Sequence, residues 1–351
     1  MLKLFLLNLV LSIILQLCLS LKDGSVQIPV TDSYLTPTTI LAIGPDTDQT
    51  YLRVLLSTAS SETWVPSVDC NPLFTWCRQH RHYNYKESNT YVDSHRNFTT
   101  HFLDHDLTGR VTSDRVELGE EVILDFEFGE AISSHIDFTY SEHDGVVGLG
   151  PKKTCTTGTP LTVRLLNAGL DDAVFSFSFS SDDKGSLVIG EVQHDKYTGN
   201  IVWSKIVSEE RWQITSDSLR IGSSTLCGAE CVTEFNTEIE MIIGPTDQVE
   251  QIYKLLDARE IPGVTIRSVE CAKVDSFPDL TFSVKGHQLT ITSEDYVERS
   301  EVVHKVELCF LMITAVEEEV DDRWIMGTLA HKAVYVVYDF GRNQVGLAEA
   351  A

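Results

Sequence analysis

The sequence predicts an all-β (mainly β) protein folded as two related lobes. Short apolar or alternating runs recur roughly every eight to twelve positions with turn residues between them, the rhythm of strands in sandwiches and barrels. An internal repeat supplies the second observation. Ser57-Thr58-Ala59 follows an apolar strand and precedes Val146-Val147-Gly148, and Asn236-Thr237-Glu238 stands in the same relation to Ile325-Met326-Gly327. Ser57 and Gly148 are 91 positions apart, as are Asn236 and Gly327. Equal spacing in both halves implies two related units, each setting a turn beside a hydrophobic-hydrophobic-glycine strand.

In chain order, the first element is a secretory signal peptide over residues 1–20. Lys3 gives the positive start, Leu4 to Leu17 is almost wholly apolar, and Cys18-Leu19-Ser20 offers small residues for cleavage. A membrane anchor is the competing reading, but the run is short for a span and holds Asn8 and Gln16. Strands are expected at Tyr51–Leu56, Val122–Phe128, Val174–Phe179, Ser186–Ile189, Leu280–Val284 and Val334–Asp339, and helices at Leu161–Asn167 and Asp247–Ala258. No low-complexity linker interrupts the chain, so the two lobes, 21–190 and 191–351, should be closely joined.

The chain carries 52 acidic and 27 basic residues, a formal charge of −25. That charge repels nucleic acid and anionic membrane, so neither is expected as a partner. It suits a protein that stays soluble as its carboxylates protonate, and equally an ordinary acidic secreted protein. Loss of Cys18 with the signal leaves seven of the eight cysteines. Three local pairings suggest themselves in an oxidising compartment, Cys70–Cys77, Cys227–Cys231 and Cys271–Cys309, although sequence alone does not fix connectivity. Cys155 is then left as a buried free thiol. The spacings do not resemble a zinc site. Asn97-Phe98-Thr99 is the only N-glycosylation sequon and lies in a polar stretch.

Several motifs occur in a telling order. Ser60-Ser61 leads to Trp64-Val65-Pro66-Ser67, then come Cys70, Cys77, His80 and Tyr83, then Asp144-Gly145-Val146-Val147-Gly148-Leu149-Gly150. Tyr197-Thr198-Gly199, Trp212-Gln213-Ile214-Thr215 and the Cys227/Cys231 loop follow, and the chain ends with Trp324-Ile325-Met326-Gly327, Tyr338-Asp339 and Val345-Gly346-Leu347-Ala348. From about Val26 to the C-terminus the chain resembles the pepsin-like aspartic proteases. The resemblance implies a bilobal fold with a central cleft for a peptide. It also implies a water held between two aspartates, one from each lobe. Two adjacent carboxyls share one proton, so one takes a proton from water while the other polarises the scissile carbonyl.

The departures fall at the chemistry. Where the family carries Asp-Thr-Gly, this chain has Ser57-Thr58-Ala59 and Asn236-Thr237-Glu238, so neither catalytic aspartate is expected. Serine and asparagine have no basic form that activates water near working pH. The family's flap aligns with Phe98 to Gly109; Phe102 stands at its tyrosine position and Leu103-Asp104-His105-Asp106 at its glycine-rich tip. Glu238 replaces a glycine, where backbone demands or crowding normally exclude a side chain. The mature-like sequence starts within a few residues of the signal, which leaves no room for the family's basic propeptide. Thr58 and Thr237 are kept, and the resemblance implies that they hydrogen-bond across the lobe interface.

Other chemistry has less support. A serine nucleophile at Ser57 needs a positioned base, no G-x-S-x-G elbow is present, and His80 and His82 belong to the disulfide-loop region. Glu238 or Glu240 could replace a lost carboxylate, but a strand or tight turn is expected to point them elsewhere. His101, Asp104, His105 and Asp106 have metal-ligand chemistry, yet a charged hairpin is more simply solvated, so no metal or other cofactor is expected. Glu317-Glu318-Glu319 with Asp321-Asp322 reads as an exposed loop. The sequence therefore points to a secreted, monomeric pseudoprotease, in the extracellular space or a lysosome-like compartment, that binds a peptide or protein in its cleft or on its surface. The alternatives are an aspartic endopeptidase with atypical residual activity and a secreted storage or antigenic protein.

Overall fold

The computed structural model describes residues 24–33, 36–73, 75–102, 105–134, 141–151, 155–179, 184–302, 306–315 and 322–351. The signal-peptide expectation, Leu103 and Asp104 of the flap tip, and Glu317-Glu318-Glu319 with Asp321 lie outside the described residues.

Strands dominate, as expected. Val174–Phe179, Leu280–Val284 and Val334–Asp339 occur with the expected bounds, and Tyr51–Leu56 is the middle of the strand Thr50–Ser57. Val122–Phe128 is part of a longer strand, Glu121–Ser134, because its partner His105–Leu118 continues to pair with it to Leu107↔Ser134. The helix Thr246–Leu256 buries Val249, Ile252, Tyr253 and Leu256, a stripe at three- and four-residue steps. It stops before the expected Ala258 because Asp257 takes the left-handed conformation at its C-cap, φ 53°.

A 13-stranded sheet joins the two halves of the chain. It begins with Tyr197–Lys205, Gln344–Ala350 and Val334–Asp339, continues through Val174–Phe179, Lys184–Ile189, Val26–Ser33 and Thr36–Ile43 to Thr50–Ser57, and then passes through Gly145–Gly148 and Trp64–Pro66 to the flap strands. The C-terminal strand pair therefore returns to lie beside Val174–Phe179, with Val337 opposite Ser176. Phe175 stacks on Tyr338 at 4.6 Å between ring centroids, and the Trp212 indole N–H donates to the Leu149 carbonyl at 3.0 Å. One continuous hydrophobic core thus includes residues from both halves.

The internal repeat becomes a repeated piece of structure. Thr50–Ser57 pairs in parallel with Gly145–Gly148, placing Ser57 opposite Gly148. Cys231–Phe235 pairs in parallel with Trp324–Met326, and the Asn236 N–H continues that ladder to the Met326 carbonyl at 3.0 Å. The glycine closing each apolar strand is dictated by close approach. A Cβ on Gly148 would lie 2.3 Å from the Ser61 carbonyl carbon, and one on Gly327 would lie 2.4 Å from the Ile239 carbonyl oxygen.

All three expected disulfides are formed, Cys70–Cys77, Cys227–Cys231 and Cys271–Cys309. Cys155 is free as expected but half-buried rather than buried; burial first, and the Glu62 carboxylate second, push its thiol up to about 11. The bridges differ in the loop they close, 38 residues for Cys271–Cys309 and 4 for Cys227–Cys231. Chain-entropy reasoning makes loss of the longer one costlier by about 2 kcal/mol. Paired serine replacements compared in urea titrations check this; equal midpoints would contradict it. Among the described residues no helix is long and apolar enough to cross a membrane.

Candidate functional site

The two turns singled out by the repeat meet at the middle of the molecule. Thr58 and Thr237 are fully buried and interlock with near two-fold symmetry. The Thr58 N–H donates to Thr237 Oγ1 at 3.0 Å and the Thr237 N–H donates to Thr58 Oγ1 at 3.0 Å. Each hydroxyl then donates to the strand before the other turn, Thr58 to the Phe235 carbonyl at 3.1 Å and Thr237 to the Leu56 carbonyl at 2.7 Å. A hydroxyl is the smallest side chain that accepts and donates at once, so one threonine per turn satisfies the buried backbone of both.

Above this grip lie Ser57, Asn236 and Glu238. The Ser57 hydroxyl donates to Glu238 Oε1 and accepts the Ser60 N–H at 3.0 Å. Ser57 is 0% exposed. Asn236 spends its carbonyl oxygen on the Glu238 N–H at 2.9 Å, an Asx turn two residues on, and its amide on Glu234 Oε1 at 3.2 Å. That turn swings residue 238 over the other lobe's turn. The expectation that local geometry points Glu238 elsewhere is therefore wrong, because the Asx turn, invisible as a contact in the sequence, aims it at Ser57. Nor does its backbone enter the left-handed region, so a side chain replaces the expected glycine there without strain. Glu240 differs: its carbonyl accepts the Leu329 N–H.

The charges around this floor are unequal. Glu234, two residues before Asn236 and accepting from its side-chain amide, is 1% exposed. Its carboxylate receives Arg211 Nη1 at 3.3 Å, Gln213 Nε2 at 2.9 Å and, more distantly, Arg323 Nε at 3.7 Å. Glu234 and Arg211 escaped the sequence reading; the alternation of side chains along Cys231–Phe235 and the pairing of Gln213 with Glu234 are the signals that reveal them. Glu238 has no ion-pair partner among the described residues. Burial pushes its carboxyl up from 4.5 to about 7, the Ser57 hydroxyl and Arg211 acting in the opposite direction. It keeps partial solvent access, so protein density around it, rather than complete exclusion of water, carries this shift.

A raised carboxyl pKa makes folding favour the protonated form. The stability linked to Glu238 is fully present below its unfolded value of 4.5 and is lost as pH rises through about 7. Solvent access reduces the full effect, which at ~1.4 kcal/mol per unit leaves about 1–2 kcal/mol. Urea denaturation of wild type and Glu238→Gln between pH 4.5 and 8 is expected to show that loss in wild type alone. Parallel pH profiles would show that Glu238 titrates as an ordinary carboxyl.

The remaining expected site residues are placed as follows. Phe102 is 4% exposed and packs edge-on against Trp64 at 5.4 Å, closing the flap hairpin in which Phe98 pairs with Gly109 and Phe102 with His105. His101 Nδ1 lies 3.2 Å from Asp106 Oδ1, both exposed. Cys271, Glu307 and Cys309 are the one grouping of potential metal-ligand atoms among the described residues, and its two sulfurs are joined in a disulfide. Asn97 is exposed on Val92–Phe102, the outermost strand of the large sheet. Asp322 is also exposed.

Comparison with known proteins agrees with this architecture. The family model described as eukaryotic aspartyl protease matches residues 34–350. Cathepsin D of Bos taurus is 30% identical over 328 residues, covering 88% of this chain and 84% of its own. Cathepsin D of Dictyostelium discoideum is 29% identical over 306 residues, with 85% and 79% covered. Renin of Rattus norvegicus is 29% identical over 317 residues, with 88% and 78% covered. With two repeat turns locked through Thr58 and Thr237 and a family match across nearly all of its length, the chain belongs to the eukaryotic aspartyl protease family.

Proposed function

We propose that this chain is a secreted, non-catalytic member of the family, with lobes over 21–190 and 191–351, that binds a peptide or protein in the cleft between them. Ser57 and Asn236 take the places of the two catalytic aspartates. The observation that carries the reading is the contact of the Glu238 carboxyl with the Ser57 hydroxyl, while both ends of the Asn236 side chain are already bonded. One carboxyl on a serine is not a pair sharing a proton, so no partner remains to polarise a carbonyl while the other activates water. Removal of the signal peptide, glycosylation at the exposed Asn97 and a monomeric state belong to the same proposal.

One observation favours a second reading, residual hydrolysis. A carboxyl titrating near 7 beside a hydroxyl has the character of a general base. Against it, Ser57 is 0% exposed and its hydroxyl is taken by Glu238, so it is not presented to a substrate carbonyl. Incubation of the purified protein with a mixed peptide library between pH 3 and 7, read by mass spectrometry, separates the two. The expected result is binding without cleavage. Cleavage lost in Glu238→Gln and blocked by a cleft-directed inhibitor would establish the second reading.

A further inference from the structure

Glu238 does more than fill the floor. Ser57 binds only Oε1, and the Asx turn from Asn236 fixes the backbone beneath, so the carboxyl is held by two elements from opposite turns. Oε2 has no hydrogen-bond partner among the described residues, and the residue is only partly buried. A carboxylate bonded through one oxygen, reached by Arg211 only at a distance and with no ion pair of its own, is poorly satisfied by this chain alone.

The charged and titratable groups on every side leave that deficit in place. The turn from Ser57 to Ser61 presents hydroxyls and no charge, and the Glu62 that follows is spent on the Thr156 and Thr157 N–H groups. Behind Glu238, Glu234 takes Arg211 and faces Arg323. Below the grip, His331 is bonded to the Gly327 carbonyl and the Tyr338 hydroxyl, and burial lowers it to about 4, so it stays neutral above that pH.

We propose that Glu238 is the anchor for a cationic side chain, lysine or arginine, of a peptide lying on this floor. The inference rests on the non-catalytic cleft-binding reading and adds the ligand's chemistry to it. A guanidinium or ammonium donating to Oε2 completes the carboxylate, with the Ser57 hydroxyl still on Oε1. Because the anchor must be ionised, binding of basic peptides strengthens as pH rises through neutrality and weakens in acid. A peptide held at neutral pH is therefore released on acidification.

The test uses the full chain and two pools of N-acetylated, C-amidated heptapeptides. They differ only at the central position, arginine or lysine in one pool and citrulline or norleucine in the other. Affinities are measured by titration calorimetry at pH 8 and pH 5.5. In wild type the basic pool is expected to bind about tenfold tighter at pH 8, with most of that ratio lost at pH 5.5. The ratio should fall to near one in Glu238→Gln and persist in Glu120→Gln, an exposed acid elsewhere. Equal binding of both pools to wild type overturns the anchor and leaves the cleft-binding reading standing. A preference surviving in Glu238→Gln assigns it to the overall negative charge and also overturns the anchor. Failure of both pools to bind overturns the reading and the anchor together. The wild-type comparison at two pH values decides the matter even if a variant fails to fold.

Discussion

The triple variant Ser57→Asp/Asn236→Asp/Glu238→Gly is expected to cleave peptides at acid pH, and the double variant Ser57→Asp/Asn236→Asp is expected to cleave nothing. On the proposed reading, aspartates at positions 57 and 236 would supply an acid and a base, but with Glu238 in place three carboxyls would crowd one floor. Glu238 already touches the residue 57 side chain. It would occupy the position between the aspartates that an attacking water needs, and would hold the shared proton in the wrong pair. Removing its side chain frees that space, and glycine tolerates any backbone conformation the turn requires. The gain over the double variant should be at least about 10²–10⁴-fold, the usual worth of a positioned acid or base. Single-turnover assays on one fluorogenic peptide at pH 4 read it directly. Equal activity in the two variants would remove Glu238 as the block, and silence in both would move the obstruction to Phe102 and the flap.

Replacing both grip threonines, Thr58→Val/Thr237→Val, should destabilise the fold by about 3–5 kcal/mol at nearly constant volume. Valine matches threonine in shape but neither donates nor accepts, so the two N–H groups and two carbonyls now satisfied across the interface lose their partners. All lie where the side chains are 0% exposed. Water does not enter to replace the lost bonds without prising the halves apart. Each single change should cost about 2–3 kcal/mol, because either one breaks a pair of the four bonds. The coupling is expected to be non-additive, the double variant costing less than the sum, as in a shared network. Urea titrations on the four proteins of the cycle measure this. A double variant within about 0.5 kcal/mol of wild type would mean that the grip is not what holds the halves together.

Much of this was legible in the sequence because it is written in short-range terms. The 91-residue repeat foretold two turns each resting on an apolar strand that ends in glycine. The parallel ladders at Ser57↔Gly148 and Thr233↔Trp324 realise it. Loop spacing in the cysteines foretold three bridges. The rhythm of apolar runs foretold strands, three of them with the expected bounds, and missed chiefly where a partner strand lengthened one, as in Glu121–Ser134.

What the sequence determined by itself was the family, the two threonines and the residues at positions 57 and 236. These depend on which residues occur and in what order. The direction of Glu238 was decided only by the tertiary structure. Whether that side chain faces Ser57 depends on an Asx turn and on a lobe 181 residues away in the chain. The same is true of Glu234 and its arginines, since a buried carboxylate is tolerable only where cations and amides arrive from other strands. Local pattern fixes which face of a strand a residue occupies. Only the packing of one half against the other fixes what that face meets, and the charge, protonation and accessibility of the cleft floor follow from that meeting.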